Sequence, residues 1–269
     1  MAETGNRRAA PRELAVITSA DPDDATVAHA KERAAEWGLE FLQRPHRRAL
    51  RPMIGRDAEA LIVFEKRAVA LWDLAGALHF HPGVARLRLG RLDAGVLEDT
   101  FLRVAELCEG EAVLDCTLGL AGDALVAARA VGPGGRVVGL EKSLALYAVI
   151  SEGLALHDPG PRSCRIEAVH ADYLEFLRAQ PSRSFDCVVF DPMFEKPRKA
   201  QEAFEVVRRH ADYAPLSPEA LQEARRVARR RVLVKSPRYG PELRRLGLAP
   251  TLLSRFSDVA WAIVGPDPG

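Results

Sequence analysis

Residues 111–123, EAVLDCTLGLAGD, constrain the fold more than any other stretch, because an apolar run ending in an acid passes directly into a glycine turn. The run reads as a buried β-strand carried by Val113 and Leu114 and closed by Asp115, and the turn opens a helix that Asp123 starts. Gly119 and Gly122 allow the backbone to pass close to a ligand where a Cβ would clash. The next apolar run, Arg136 to Leu140 (RVVGL), ends in Glu141. An acid at the end of that second strand can accept both hydrogen bonds of a ribose diol. These features predict an α/β fold with a nucleotide-like ligand at the carboxyl ends of parallel strands. The turn lacks the full G-x-G-x-x-G run that cradles a pyrophosphate, so NAD and the phosphate-free S-adenosylmethionine both stay open at this point.

With 269 residues and 48% hydrophobic content, the chain can bury the core of one large domain, or of a large and a small one. No apolar run reaches the ~20 residues that span a bilayer. The stretch MAETGNRRAAPRE lacks the apolar centre of a secretory signal, so a soluble, cytoplasmic protein with no membrane partner is expected. Cys108, Cys116, Cys164 and Cys187 show no C-x-x-C spacing and read as free thiols, and no metal is expected.

A net charge of +1 gives no long-range field for nucleic acid, but the basic residues are clustered. Arg86, Arg88 and Arg91 form one group, Arg208 and Arg209 another, and Arg225, Arg226, Arg229, Arg230 and Arg231 a third. The third group is expected within an amphipathic helix beginning near Pro218, as a solvated face. Lys196, Arg198 and Lys199 fall in a loop and are the better candidates for contacts to a nucleic-acid substrate.

Taken in order, residues 1–12 read as a disordered tail and residues 13–80 as a small α/β domain. In that domain Leu14 to Thr18 and Glu40 to Gln43 are expected strands flanking a helix over Asp24 to Trp37. Ala60 to Phe64 and Ala68 to Trp72 are expected to pair across the charged turn Glu65 to Arg67. Arg44, Arg47, Arg48 and Arg51 read as a solvated loop. HFHPG, with His79 and His81 sharing a strand face, marks the neighbourhood of the boundary, and a two-histidine metal site lacks further local ligands. The remainder, 81–269, forms the ligand-binding domain. A helix over Asp99 to Cys108 leads to the glycine strand. Beyond Glu141 come a helix over Leu144 to Leu156, a strand over Cys164 to Val169, a helix over Tyr173 to Ala179 and the apolar strand Phe185 to Phe190. Asp172 can cap that last helix or accept a hydrogen bond from an adenine amino group.

The Phe185 to Phe190 strand runs into Asp191, Pro192, Met193 and Phe194. This D-P-x-F tetrad resembles the D/N-P-P-Y/F motif of enzymes that methylate exocyclic amino nitrogens, and it favours S-adenosylmethionine over NAD. A carboxylate and a backbone carbonyl that accept both hydrogens of a conjugated amine shift it toward a tetrahedral nucleophile, and an aromatic ring stacks on the base. Asp191, Pro192 and Phe194 are the expected catalytic residues.

Together DCTLGLAGDA, GLEKS, HADYL, FDPMF and VLVKSPRYG stand in the order and spacing of the RsmJ-type (YhiQ-like) methyltransferases, which modify a guanine N2 of bacterial small-subunit ribosomal RNA. The resemblance, over about residues 79–245, implies a Rossmann-like class I methyltransferase fold acting on RNA or a ribosomal particle. It implies S-adenosylmethionine contacts from Gly122, Asp123, Glu141, Lys142, Asp172, Tyr173 and Asp191, joined by Asp115, Thr117 and Gly119 of the turn. The tail is consistent with such a fold. Val232 to Lys235 reads as a fifth strand, with Lys235 at the ligand edge as a possible substrate contact. Thr251 to Phe256 and Val259 to Val264 read as a hairpin that finishes a mostly parallel seven-stranded sheet with an antiparallel last strand. Amino methylation of adenine or cytosine in DNA or tRNA, and a non-catalytic nucleotide-binding module of the ribosome, are the alternatives.

Overall fold

The computed structural model describes residues 12–45, 49–95, 99–193, 202–238, 241–253 and 258–268. No helix among them is long and apolar enough to cross a membrane. In chain order the elements are β1 (Arg12–Thr18), α1 (Asp24–Glu36), β2 (Ala58–Glu65), β3 (Ala68–Trp72), β4 (Ala77–His79), α2 (Gly83–Asp93), α3 (Thr100–Ala105), β5 (Ala112–Asp115) and α4 (Gly122–Val131). There follow β6 (Arg136–Glu141), α5 (Leu144–Leu156), β7 (Ile166–His170), α6 (Tyr173–Ala179), β8 (Phe185–Phe190) and α7 (Glu202–His210). The chain ends with α8 (Pro218–Val227), β9 (Ala228–Pro237), α9 (Pro241–Arg245), β10 (Leu252–Leu253) and β11 (Val259–Val264).

The described residues fall into two compact units. The first runs through His79 and takes in α7 as far as Arg209. Its four strands lie in the order β1-β2-β3-β4, with β1 parallel to β2 and the other pairs antiparallel. Ala15, Ile17, Met53, Ile54, Leu61 and Val63 form its core. The tail expected over 1–12 lies outside the described residues except for Arg12, which already pairs with Ala58 in β1. The strand expected over Glu40 to Gln43 reduces to one bridge, Phe41 to Val16. Two hydrogen bonds make that bridge, Val16 N–H to the Glu40 carbonyl at 2.9 Å and Leu42 N–H to the Val16 carbonyl at 2.7 Å. Arg47 and Arg48 lie outside the described residues, while Arg44 donates to the Thr18 carbonyl at 3.4 Å. His79 lies 3.5 Å from Glu65.

The second unit holds a seven-stranded sheet in the order β10-β11-β9-β8-β5-β6-β7. The five strands from β7 to β9 run parallel to their neighbours, and β11 is antiparallel to both β9 and β10. This is the Rossmann-like class I arrangement that the sequence predicts. Strand alternation divides the apolar side chains between two faces. Val113, Val137, Val189 and Leu233 pack with Phe101 of α3 and Leu125 of α4, whereas Leu114, Val138, Val188 and Val234 pack with Leu177 of α6 and Leu221 of α8. Strand order reverses at β5, whose neighbours are β6 and β8, so a crevice opens at the carboxyl ends there.

The arginine run departs from expectation. α8 stops at Val227, and Arg229, Arg230 and Arg231 belong to β9, because pairing with β8 extends that strand back to Ala228. None of the three forms a free basic face. Arg229 pairs with Asp186 at 3.1 Å, Arg230 pairs with Glu111, and Arg231 donates to the Val104 carbonyl at 2.8 Å and pairs with Glu106. Arg226 donates to the Leu177 and Gln180 carbonyls at 2.8 and 2.9 Å. These arginines fasten the amino ends of the strands, opposite the crevice.

Further differences are small. The helix expected to reach Cys108 stops at Ala105, where Glu106 turns left-handed at φ 43°. The strand expected from Cys164 begins at Ile166. Cys116, Cys164 and Cys187 are buried and Cys108 is exposed, all as free thiols.

A packing constraint in α5 yields a test. Gly→Ala in a helix normally adds about 1 kcal/mol of stability. A Cβ on Gly153 would lie 2.2 Å from the Cβ and 2.3 Å from the Cγ of Phe80, atoms that cannot swing aside as a side-chain tip can. Overpacking of this kind costs about 1–3 kcal/mol, so Gly153→Ala should lower the urea midpoint instead of raising it.

Candidate functional site

The glycine turn is fastened to both neighbouring strands. Cys116 N–H donates to the Val189 carbonyl at 2.9 Å, and Leu118 N–H to the Leu140 carbonyl at 2.8 Å. The left-handed residues are Gly119 (φ 48°) and Ala121 (φ 60°), and α4 begins at Gly122, one residue before the expected Asp123. For Ala121 that conformation costs roughly 1–2 kcal/mol, a strain placed at the ligand edge of the sheet. A Cβ added at Gly122 would meet no protein atom within 4 Å, and at Gly119 only the Thr117 carbonyl, at 3.7 Å. Both glycines therefore keep clear a space that a side chain would fill.

Around that turn stand the acids that end the strands. Glu141 is buried, its Oε2 accepting from Gly119 N–H at 3.1 Å and its Oε1 from Ser143 N–H at 2.9 Å. Burial raises its pKa against those two donors. Each oxygen keeps a further lone pair able to accept a hydroxyl. Lys142 pairs with Asp172 at 3.2 Å and with Asp212 at 2.9 Å. Asp172 caps α6 through Leu174 and Glu175 N–H, as expected. Thr117, Gly119, Glu141, Lys142, Tyr173, Asp191 and Pro192 line one cleft of about 70 Å³. Leu146, Asp212 and Ala214 also line it and were not predicted. A larger cavity of about 250 Å³, between α4, α5 and the start of β7, contains none of these strand-end acids. Chemistry rather than size therefore identifies the smaller cleft.

Asp115, Asp123 and Lys235 do not line the cleft but gather about Asp191, which does. Asp191 N–H donates to Thr117 Oγ1 at 2.7 Å, which ties the end of β8 to the turn after β5. Lys235 Nζ lies 2.6 Å from Asp191 Oδ2 and 3.3 Å from Asp123 Oδ2. Arg88 of α2 donates to Asp123 Oδ1 at 2.6 Å and to the Gly122 carbonyl at 3.3 Å, and it grips Asp99 with two bonds of 2.6 and 3.0 Å. Asp123 is thus occupied by two cations. Arg88, read in sequence only as one of a basic group, is the organising residue that sequence reasoning missed. No helix signal marks α2 strongly, and its partners Asp99 and Asp123 are distant in the chain. Phe194, Lys196, Arg198 and Lys199 lie outside the described residues.

Residues 80–253 match the SAM_MT family of SAM-dependent methyltransferases. The chain belongs to this family. It is 32% identical over 238 residues to the uncharacterised protein YpiP of Bacillus subtilis, covering 86% of this chain and 92% of that one. It is 37% identical over 139 residues to Ribosomal RNA small subunit methyltransferase J of Laribacter hongkongensis, covering 48% of this chain and 47% of that protein. The corresponding protein of Cronobacter sakazakii is 35% identical over 141 residues, with 49% and 54% covered. The chain thus spans about half the length of these ribosomal RNA enzymes. The SAM-dependent methyltransferase NGO1261 from Neisseria gonorrhoeae shares the fold, with a TM-score of 0.62 at 21% identity over 94% of this chain and 96% of that one. The protein is a SAM-dependent methyltransferase, and S-adenosylmethionine is its cofactor. The buried Glu141 carboxylate, with lone pairs free for a ribose diol, and the clear space at Gly119 and Gly122 fit the adenosine part of that cofactor.

Asp115 supplies a pH test. It is buried, and burial, with Asp123 and Asp191 adding to it, pushes its pKa up to about 7 against the Thr117 N–H and Lys235. In the unfolded chain it ionises near the ordinary carboxylate value, about 3.9. The folded protein therefore holds the proton longer, and stability present at acid pH is lost as pH rises toward 7. Asp115→Asn should flatten that decline in chemical denaturation across the acid-to-neutral range; an unchanged pH slope would remove Asp115 as its source.

Proposed function

We propose that the protein transfers the cofactor's methyl group to an exocyclic amino nitrogen of a nucleobase, guanine N2 of small-subunit ribosomal RNA. The observation that carries this reading is Asp191 at the end of β8. Its backbone is fixed by Thr117, and among the described residues only Lys235 bonds its carboxylate, through Oδ2. Oδ1 remains able to accept an amine hydrogen at the rim of the cleft. The ribosomal RNA small subunit methyltransferases that match about half of the chain support ribosomal RNA as the substrate, and the D-P-M-F resemblance supports the amino group.

Bound in the cleft, the cofactor supplies an electrophilic sulfonium methyl open to in-line displacement by nitrogen. The protein's part is positioning. Glu141 would accept the ribose hydroxyls, the Gly119 to Gly122 turn would leave room for the adenosine, and Asp172 and Tyr173 would hold the adenine. Asp191 and the Pro192 carbonyl take the two amine hydrogens, which aims the nitrogen lone pair at the methyl group. The D-P-x-F resemblance gives the base-stacking role to Phe194, and Lys196, Arg198 and Lys199 are the sequence's candidates for RNA contacts; all four lie outside the described residues. Because the methyl donor would be cationic, the amine would need no prior deprotonation: the nitrogen–carbon bond would form as the carbon–sulfur bond breaks, S-adenosylhomocysteine would leave, and the alkylated nitrogen would then lose its proton to water.

Two variants separate the halves of this arrangement. Glu141→Ala should weaken cofactor binding by about 1–3 kcal/mol in titration calorimetry, through loss of charge-assisted hydrogen bonds. Asp191→Ala should abolish turnover at saturating cofactor while Asp191→Asn, which keeps an acceptor oxygen, retains a fraction. Full turnover by folded Asp191→Ala would return the tetrad to a plain turn at the end of a strand.

A further inference from the structure

Lys235 is placed differently from a residue that greets a substrate. Its side chain is mostly buried near the carboxyl end of β9, and its ammonium lies 5.3 Å from the centre of the Trp261 ring. Of its donors, one points to Asp191 Oδ2 at 2.6 Å and another to Asp123 Oδ2 at 3.3 Å. Asp123 is held in turn by Arg88, and Arg88 by Asp99. Charges of alternating sign therefore run from Asp99 through Arg88, Asp123 and Lys235 to Asp191, drawing on α2, α4, β9 and the end of β8. An ammonium committed to two carboxylates over an aromatic ring has little donor capacity left for an RNA phosphate.

We infer that Lys235 is a positioning residue for methyl transfer: anchored through Asp123 and Arg88, it holds Asp191 by Oδ2 so that Oδ1 is presented to the target amine. This rests on the reading of Asp191 as the amine acceptor. It replaces the expectation that Lys235 touches substrate. The surrounding charges give the arrangement a pH signature. Burial pushes the Asp191 pKa up; Lys235 opposes this, Asp123 adds to it and Arg88 opposes it, with a net rise. Asp115, on the neighbouring strand, is a third acid in the same cluster. Removing the ammonium should therefore delay Asp191 ionisation to higher pH, while removing the Asp123 charge should advance it to lower pH.

The test measures methyl transfer from labelled S-adenosylmethionine to RNA with the full chain, as kcat and KM against pH, for Lys235→Met, Lys235→Arg and Asp123→Asn. Lys235→Met should lose about 10²-fold in kcat, the cost of a misplaced reacting group, with little change in KM for RNA. Its acid limb should move to higher pH, and Lys235→Arg should recover part of kcat and return the limb. Should Lys235→Met fail to fold, Asp123→Asn still decides: its acid limb should move to lower pH, and an unmoved limb overturns the inference. A raised KM for RNA with a shallower salt dependence and an unchanged kcat in Lys235→Met would instead make Lys235 a phosphate contact. Asp191→Ala measured in parallel separates the two claims. Wild-type turnover there defeats the reading of Asp191, whereas loss of turnover there with none in Lys235→Met defeats only the role of Lys235.

Discussion

The carboxyl-end edge of this sheet depends on holding several carboxylates near one another, most of them buried and Asp191 at the rim. Asp115, Glu141 and Asp191 each stand at or just past the carboxyl end of a strand, and Asp123 enters from the first turn of α4. Like charges at that spacing repel strongly in a low dielectric, so the structure survives only because each is answered. Glu141 is answered by two backbone N–H groups, Asp123 and Asp191 by Lys235 and Arg88, and Asp115 by a raised pKa that keeps it protonated through much of the acid range. Lys235 itself is driven the other way. Burial would lower its pKa, but Asp191 and Asp123 outweigh this and raise it to about 12, so it stays charged at any working pH.

The same arrangement fastens the turn on several sides without a ligand-specific motif of its own. Backbone bonds fasten it to β6 and β8, the Thr117 hydroxyl receives Asp191 N–H, and Gly119 N–H reaches Glu141. The proposed cofactor acid and the proposed amine acceptor are thus joined through one short turn, so a disturbance at either should be felt at the other. Pre-organisation of this kind suits a reaction whose main requirement is alignment of a nitrogen with a methyl group.

Most of the sheet was legible because its interior strands are apolar on both faces, and runs such as FDCVVF admit few other readings. The strand-end acids were legible for the same reason, each being the first charge after such a run. What escaped was whatever depends on partners far apart in the chain. Arg88 matters because Asp99 and Asp123 fold against it, and nothing near it in the sequence distinguishes it from Arg86. Asp212 lines the cleft from a loop whose only local signal is a bond to Ala214 N–H. Arg229 to Arg231 read as helix because the helical pattern before them is strong, yet pairing along β8 overrides that local preference. Lys235 reads at the ligand edge from its strand, but its pairing with Asp123 and Asp191 does not, since a lysine at such an edge can face solvent or acid and only the fold decides.

The central claim is that the cleft delivers a methyl group to a base amine, and the most direct measurement is of the product. Total RNA from cells lacking the gene would be incubated with the purified protein and methyl-labelled S-adenosylmethionine, separated into ribosomal subunits' RNA, digested and resolved by nucleoside mass spectrometry. The account predicts label on N2-methylguanosine from small-subunit RNA. Label on a ring nitrogen, carbon or ribose oxygen, or S-adenosylhomocysteine formed with no labelled nucleoside, would contradict it.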